Sequence, residues 1–293
     1  MYTDSAINKL IIGTAQFGLK YGINNPVGKP NQKAVGEMLR FCYQIGINTI
    51  DTADAYGNAS DLIGRFHSLN IKKFNVITKF KDGGEEFNVK SWLDFTLKKL
   101  KTPSLFACMF HSINDYLNNP KLLKDLSYFY DIGLIKNIGV SIYSNEHFAR
   151  VIDDPSVHLI QLPYNLLDNK SQRGALIQKA KDKNKIIHVR SVFLQGLFFM
   201  DLGKLPIKLK PLKSELDYLQ QMTKEHNIPM QTLALKYVAS NPNVDSILIG
   251  VDNINQLKAN INSINVEIPQ TLIHQIDNIS TQYLELLNPV NWA

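Results

Sequence analysis

Eight short runs of apolar, largely β-branched residues recur along the chain, at 9–14, 47–51, 74–79, 104–110, 135–140, 157–162, 185–190 and 245–249. Near-continuous apolar runs, rather than strict apolar–polar alternation, are what strands buried on both faces of a parallel sheet require. The stretches between them read as amphipathic helices. Val35, Met38, Leu39, Cys42 and Ile45 share one face at a period of 3.6 residues. Phe95, Leu97 and Leu100 repeat the pattern, as do Leu122, Leu123, Leu126 and Phe129. Eight strand–helix units close into an α/β fold, the (β/α)8 or TIM barrel. An open doubly wound sheet would show fewer strands and a Gly-x-Gly-x-x-Gly turn, and no such turn follows a strand here. No Pro/Gly/Ser linker divides the chain, so residues 1–293 are expected to form a single barrel domain. Two stretches depart from the alternation: a long connection at 193–211 after the seventh strand, and a helix and tail over 269–293.

Composition narrows the partners. Hydrophobic residues make up 44% and charged residues 20%, the balance of a soluble globular protein. The net charge of +6 is scattered. Only 208–213 resembles a basic run, and no basic helix or aromatic strip accompanies it, so no nucleic-acid partner is expected. No run approaches the ~18 apolar residues of a membrane span, and residues 1–9 are polar with no signal core. A cytoplasmic location with no membrane partner follows as the expectation. Cys42 and Cys108 lie inside apolar patterns and read as buried free thiols. Histidines 67, 147, 158, 188, 226 and 274 have no metal-ligand spacing, so no metal site is expected. The segment 22–30 lacks P-loop spacing.

Barrel enzymes place their reacting groups at the C-terminal ends of the strands. Asp51 ends the second strand and Tyr56 lies just beyond it; Lys79 ends the third, and His111 follows the fourth. Four such groups on three adjacent tips suit protonation of a carbonyl oxygen. A phenol with a pKa near its usual ~10 is a weak acid at neutral pH. A lysine ammonium beside it lowers that value, and a carboxylate can hold the lysine charged and in place. Tyr56 is therefore the expected general acid, Lys79 and Asp51 its tuning partners, and His111 the group that orients the substrate oxygen.

These residues resemble the aldo-keto reductases, NAD(P)H-dependent carbonyl reductases built on a (β/α)8 barrel. The likeness is carried by Asp-Thr-Ala-x-x-Tyr-Gly over 51–57, Thr78-Lys79, His111, Gly139-Val140-Ser141 and Gln161-Leu162-Pro163-Tyr164-Asn165. It runs from about residue 13 to residue 260. The segments 12–18, 21–24 and 189–197 are similar to a bacterial branch linked to surface-polysaccharide and sugar biosynthesis, which implies a sugar or sugar derivative as substrate.

The resemblance also implies a cofactor site. Ser141 and Gln161 would bond the nicotinamide carboxamide, with Ile142 standing where an Asn is expected. Arg190 replaces a Tyr that stacks on the nicotinamide ring; a guanidinium plane can stack too. Phe193, Gln195 and Gly196 would wrap the pyrophosphate, and Gly250, Gln256 and Asn260 match the adenosine-phosphate segment. Gly13, Thr14 and Asp51 complete the expected cofactor contacts. NADPH is the family's usual cofactor, with NADH the alternative. The basic residues that would clamp a 2′-phosphate are missing: Gly250 and Gln256 occupy their places, and Asp252 is acidic.

The leading reading is a reductase acting on a small-molecule carbonyl compound, as a monomer or homodimer. A dinucleotide-binding sensor or scaffold with little turnover is one alternative, favoured by Ile142 and Arg190. A Schiff-base lyase or aldolase using Lys79 is another. Loops at 16–25, 81–87, 113–116 and 286–293 are expected to shape the substrate pocket, with Trp292 folded over the mouth or packed on a neighbouring subunit.

Overall fold

A computed structural model describes residues 6–23, 25, 28–80 and 87–292. Eight parallel strands close into a barrel in chain order. They are β1 (Leu10–Gly13), β2 (Thr49–Asp51), β3 (Asn75–Phe80), β4 (Ala107–Phe110), β5 (Ile138–Ser141), β6 (Leu159–Pro163), β7 (Ile186–Arg190) and β8 (Ser246–Gly250). Closure is made by β8 against β1, with Leu10 opposite Ile247 and Gly13 opposite Gly250. β4 and β5 begin later than the apolar runs imply, because Leu105 and Ile135 form only an isolated bridge ahead of the ladder.

Each strand buries both faces. The outward set packs on the helices in one large core that includes Ile12, Ile50, Val76, Cys108, Val140 and Ile160. The inward set forms a second cluster of Ile11, Ile77, Ala107, Met109, Leu159 and Leu248. This two-residue period positions the chemistry. Two residues beyond Ile11, Ile77, Met109, Leu159 and Leu248 stand Gly13, Lys79, His111, Gln161 and Gly250, one step nearer the C-terminal mouth.

The helices follow from their caps and stripes. The helix Gln32–Gln44 is capped by Asn31, whose side chain accepts from the Ala34 N–H, and it buries Val35, Met38, Leu39 and Cys42. The helix Val89–Leu100 buries Val89, Leu93, Thr96 and Leu100, so of the expected stripe Phe95, Leu97 and Leu100 only Leu100 is buried. Phe95 is 64% exposed, because the small Thr96 takes the inward position beside it. Both cysteines are free and buried, and burial pushes the Cys42 thiol up to about 12. The connection after β7 forms short 3-10 turns at Leu194–Phe199, Leu202–Lys204 and Ile207–Leu212, and the tail adds the helix Gln270–Asp277. Trp292 bonds the carbonyl of Leu286 through its indole N–H (2.8 Å), folding onto its own tail. No helix among the described residues is long and apolar enough to cross a membrane.

Candidate active site

A cleft of about 400 Å³ opens at the C-terminal end of the barrel. All the sequence-predicted site residues line it: Gly13, Thr14, Asp51, Tyr56, Lys79, His111, Ser141, Gln161, Arg190, Phe193, Gln195, Gly196, Gly250, Gln256 and Asn260. Its size is that of a small-molecule or cofactor pocket.

At its floor Lys79 forms an ion pair with one oxygen of Asp51; each side chain is 2% exposed. The other oxygen of Asp51 accepts from Gln161 Nε2 at 2.9 Å. Lys79 Nζ also reaches the Thr52 carbonyl (3.4 Å) and lies 5.5 Å from the Tyr56 ring centroid. The Tyr56 and His111 rings meet edge to face with centroids 6.2 Å apart. Thr14 donates its hydroxyl to the Asp51 carbonyl (2.9 Å), tying β1 to β2. Tyr56 is set by a close backbone approach: a Cβ on Gly18 would lie 1.7 Å from the Tyr56 carbonyl oxygen, so only glycine fits there.

The electrostatics differ from the expectation in one respect. Burial, and then the Asp51 carboxylate, push the Tyr56 phenol above its usual value, with the Arg190 charge working against them. Burial lowers the Lys79 pKa, and Asp51 opposes that shift. Lys79 is paired with its own carboxylate partner, and the balance at the phenol is upward.

Further observations concern the cofactor half. Gln161 spends its amide N–H₂ on Asp51. The Arg190 guanidinium stacks 4.1 Å from the Tyr143 ring centroid and donates to the Ile142 carbonyl (3.0 Å). Ile142 itself is fully buried in the outer core, so its side chain does not face the cleft. The turn after β7 holds Ser191, Leu194 and Gln195 at positive φ (60°, 43° and 53°). Non-glycine residues in that region cost on the order of 1–3 kcal/mol each and concentrate at ligand clamps.

Gln16, Tyr21 and Asn25 line the cleft from the expected loop 16–25, whereas Tyr143 and Gln231 line it without a motif or an expected loop to signal them. Tyr143 could have been found as the aromatic two residues past Ser141. Tyr21 and Asn25 each bond a residue from another loop of the cleft. Gln195 Nε2 donates to the Tyr21 hydroxyl (3.2 Å), and Asn25 Nδ2 donates to Asp252 Oδ1 (3.0 Å). Of the expected substrate loops, 16–25 supplies lining residues, whereas 113–116 and the tail through Trp292 supply none. Tyr116 instead bonds Asp154 (2.5 Å). Residues 81–86, with Asn24 and Ala293, lie outside the described residues. No cluster of potential metal ligands occurs among the described residues.

The Aldo/keto reductase family model matches residues 9–281. The chain belongs to the aldo/keto reductase family. It is 24% identical to D-arabinose 1-dehydrogenase of Saccharomyces cerevisiae over 97% of this chain and 90% of that protein. It is 21% identical to the NADH-specific methylglyoxal reductase of Escherichia coli over 91% and 92%. Among solved structures, aldo-keto reductase AKR11C1 from Bacillus halodurans superposes with a TM-score of 0.73 at 18% identity, covering 94% of each chain. Membership makes this aldo/keto reductase an NAD(P)H-dependent oxidoreductase on a (β/α)8 barrel.

Proposed function

We propose that this aldo/keto reductase reduces the aldehyde or ketone of a sugar or sugar derivative, with Tyr56 delivering the proton to the carbonyl oxygen. The observation that carries the reading is the placement of Tyr56 in the cleft, above a buried Lys79–Asp51 pair and edge-on to His111. A bound nicotinamide dinucleotide supplies the hydride. The cleft suits such a group: Ser141 and Gln161 offer polar side chains in its lining, and the strained turn 191–196 contributes Ser191, Phe193, Gln195 and Gly196.

His111 orients the carbonyl oxygen toward the Tyr56 hydroxyl. As negative charge grows on that oxygen, Tyr56 gives up its proton. The Arg190 charge, which already opposes burial and Asp51 at the phenol, then stabilises the phenolate. A phenol raised in the free protein is kept protonated until that charge appears. The sugar assignment draws on the bacterial-branch segments and on the named activity of the yeast relative. Cofactor oxidation monitored across sugar aldehydes and simple aldehydes tests it; turnover confined to simple aldehydes would remove the sugar assignment.

A dinucleotide sensor is the second reading, favoured by the raised phenol and by Arg190 turned onto Tyr143. Cofactor binding without oxidation over the whole panel would select it. The Schiff-base reading loses ground, because Lys79 Nζ is engaged by Asp51 and the Thr52 carbonyl.

A further inference from the structure

The β8 side of the cleft is built around a carboxylate. Asp252 Oδ1 accepts from Asn25 Nδ2 (3.0 Å) and Oδ2 from Gln256 Nε2 (3.2 Å), while Gln256 Oε1 accepts the Asp252 N–H (2.8 Å). Asn25 and Gln256 thus hold the side chain from two different loops. No cation among the described lining residues pairs with it. The described lining contains two, Lys79 and Arg190. Both are engaged elsewhere, Lys79 with Asp51, and Arg190 with Tyr143 and the Ile142 carbonyl. Lys258, the only cation of the helix Ile254–Ile264, sits over the Phe41 ring at 5.6 Å and is not part of the lining. A Cβ on Gly250 would lie 2.2 Å from the Gln16 amide, so a side chain at the strand tip would first have to move the Gln16 side chain.

We propose that Asp252 is a cofactor-selecting residue that makes this reductase prefer NADH over NADPH. The inference rests on the reductase reading. With carbonyl chemistry at Tyr56 on the β2 side, the adenosine end of a dinucleotide takes the β8 side, around Asp252, Gln256 and Asn260. A carboxylate is an acceptor suited to ribose hydroxyls. A 2′-phosphate, carrying about −1.5 to −2 charge at neutral pH, meets like charge there and no basic partner. Discrimination therefore comes from repulsion as well as from the missing clamp.

The test is fluorescence titration of the full-length protein with NADH and with NADPH, for the wild type, Asp252→Asn and Gln256→Lys. The wild type should bind NADH at least about tenfold more tightly, a like-charge penalty equivalent to one factor of ten in Kd. Asp252→Asn should narrow the ratio by tightening NADPH, and Gln256→Lys should narrow it further. Raising salt from about 0.05 to 0.5 M should also narrow it in the wild type, because exposed charges are screened. Equal or tighter NADPH binding by the wild type, or an unchanged ratio in Asp252→Asn, overturns the inference and leaves the reductase reading standing. Failure of both dinucleotides to bind removes the reductase reading and this inference with it.

Discussion

Asp51 and Lys79 form an ion pair sealed beneath the cleft, each 2% exposed, with Gln161 holding the second carboxylate oxygen at 2.9 Å. Such a pair is costly to break from one side. Asp51→Asn leaves an uncompensated ammonium in the barrel and should destabilise the fold by about 3–5 kcal/mol. Asp51→Asn combined with Lys79→Met should recover most of that loss. Urea denaturation of the three proteins checks it; a single variant as stable as wild type would contradict the buried pairing.

The same pair leaves Tyr56 without a net acidifying neighbour on its own side of the barrel. Burial and Asp51 raise the phenol, so it should stay protonated through pH ~10, where free tyrosine is half ionised. The difference in phenolate absorbance between wild type and Tyr56→Phe isolates this group. It should show no titration below that pH. A signal at neutral or mildly alkaline pH would restore the acidified phenol that the sequence suggests.

Gly18 and Tyr56 touch through their backbones. A methyl at Gly18 must displace the Tyr56 carbonyl, and Gly57 next to it, at φ 53°, is itself held 2.6 Å from the Gly18 oxygen at its Cβ position. Gly18→Ala should shift the phenol and lower the hydride-transfer rate by about 10²-fold. The accompanying overpacking should cost about 1–3 kcal/mol. Single-turnover rates with saturating cofactor, set beside denaturation curves, separate the two effects. An unchanged rate would show that this contact does not position Tyr56.

His188 lies in the barrel interior opposite Gln161, 2% exposed and stacked on Phe106, with Nδ1 lacking a hydrogen-bond partner. Burial pushes its pKa down to about 4 from 6.5. Between those values the unfolded chain binds a proton that the native ring refuses. Stability is therefore full above pH ~6.5, falls as pH drops, and has lost about 3 kcal/mol from this group by pH ~4. Urea midpoints at pH 7.5 and 5 should differ in wild type, and His188→Leu should reduce the difference. Equal pH dependence in both proteins would place His188 in a solvated setting.

What was legible in the chain is what a two-residue period and strand tips dictate. Apolar runs marked the strands, and residues one step past the inward layer, such as Lys79 and Gln161, had to face the mouth. The stripe containing Phe95 was misread because periodicity does not reveal that Thr96 would be the inward residue. The Asn25–Asp252 bond joins residues 227 positions apart and has no local signature. Arg190 was recognisable as an unusual residue at a strand tip, yet its stacking on Tyr143 depends on two loops converging. The electrostatic state of Tyr56 was hidden for a related reason. It depends on how deeply the phenol is buried and on which neighbour takes the charge of Lys79.

The central claim is that Tyr56 delivers the proton in carbonyl reduction. Its most direct measurement is the rate of cofactor oxidation with a saturating aldehyde, wild type against Tyr56→Phe, with dinucleotide binding measured on both. Loss of a general acid should lower the rate by about 10²–10⁴-fold while binding is retained. A Tyr56→Phe protein that turns over at the wild-type rate would contradict the assignment.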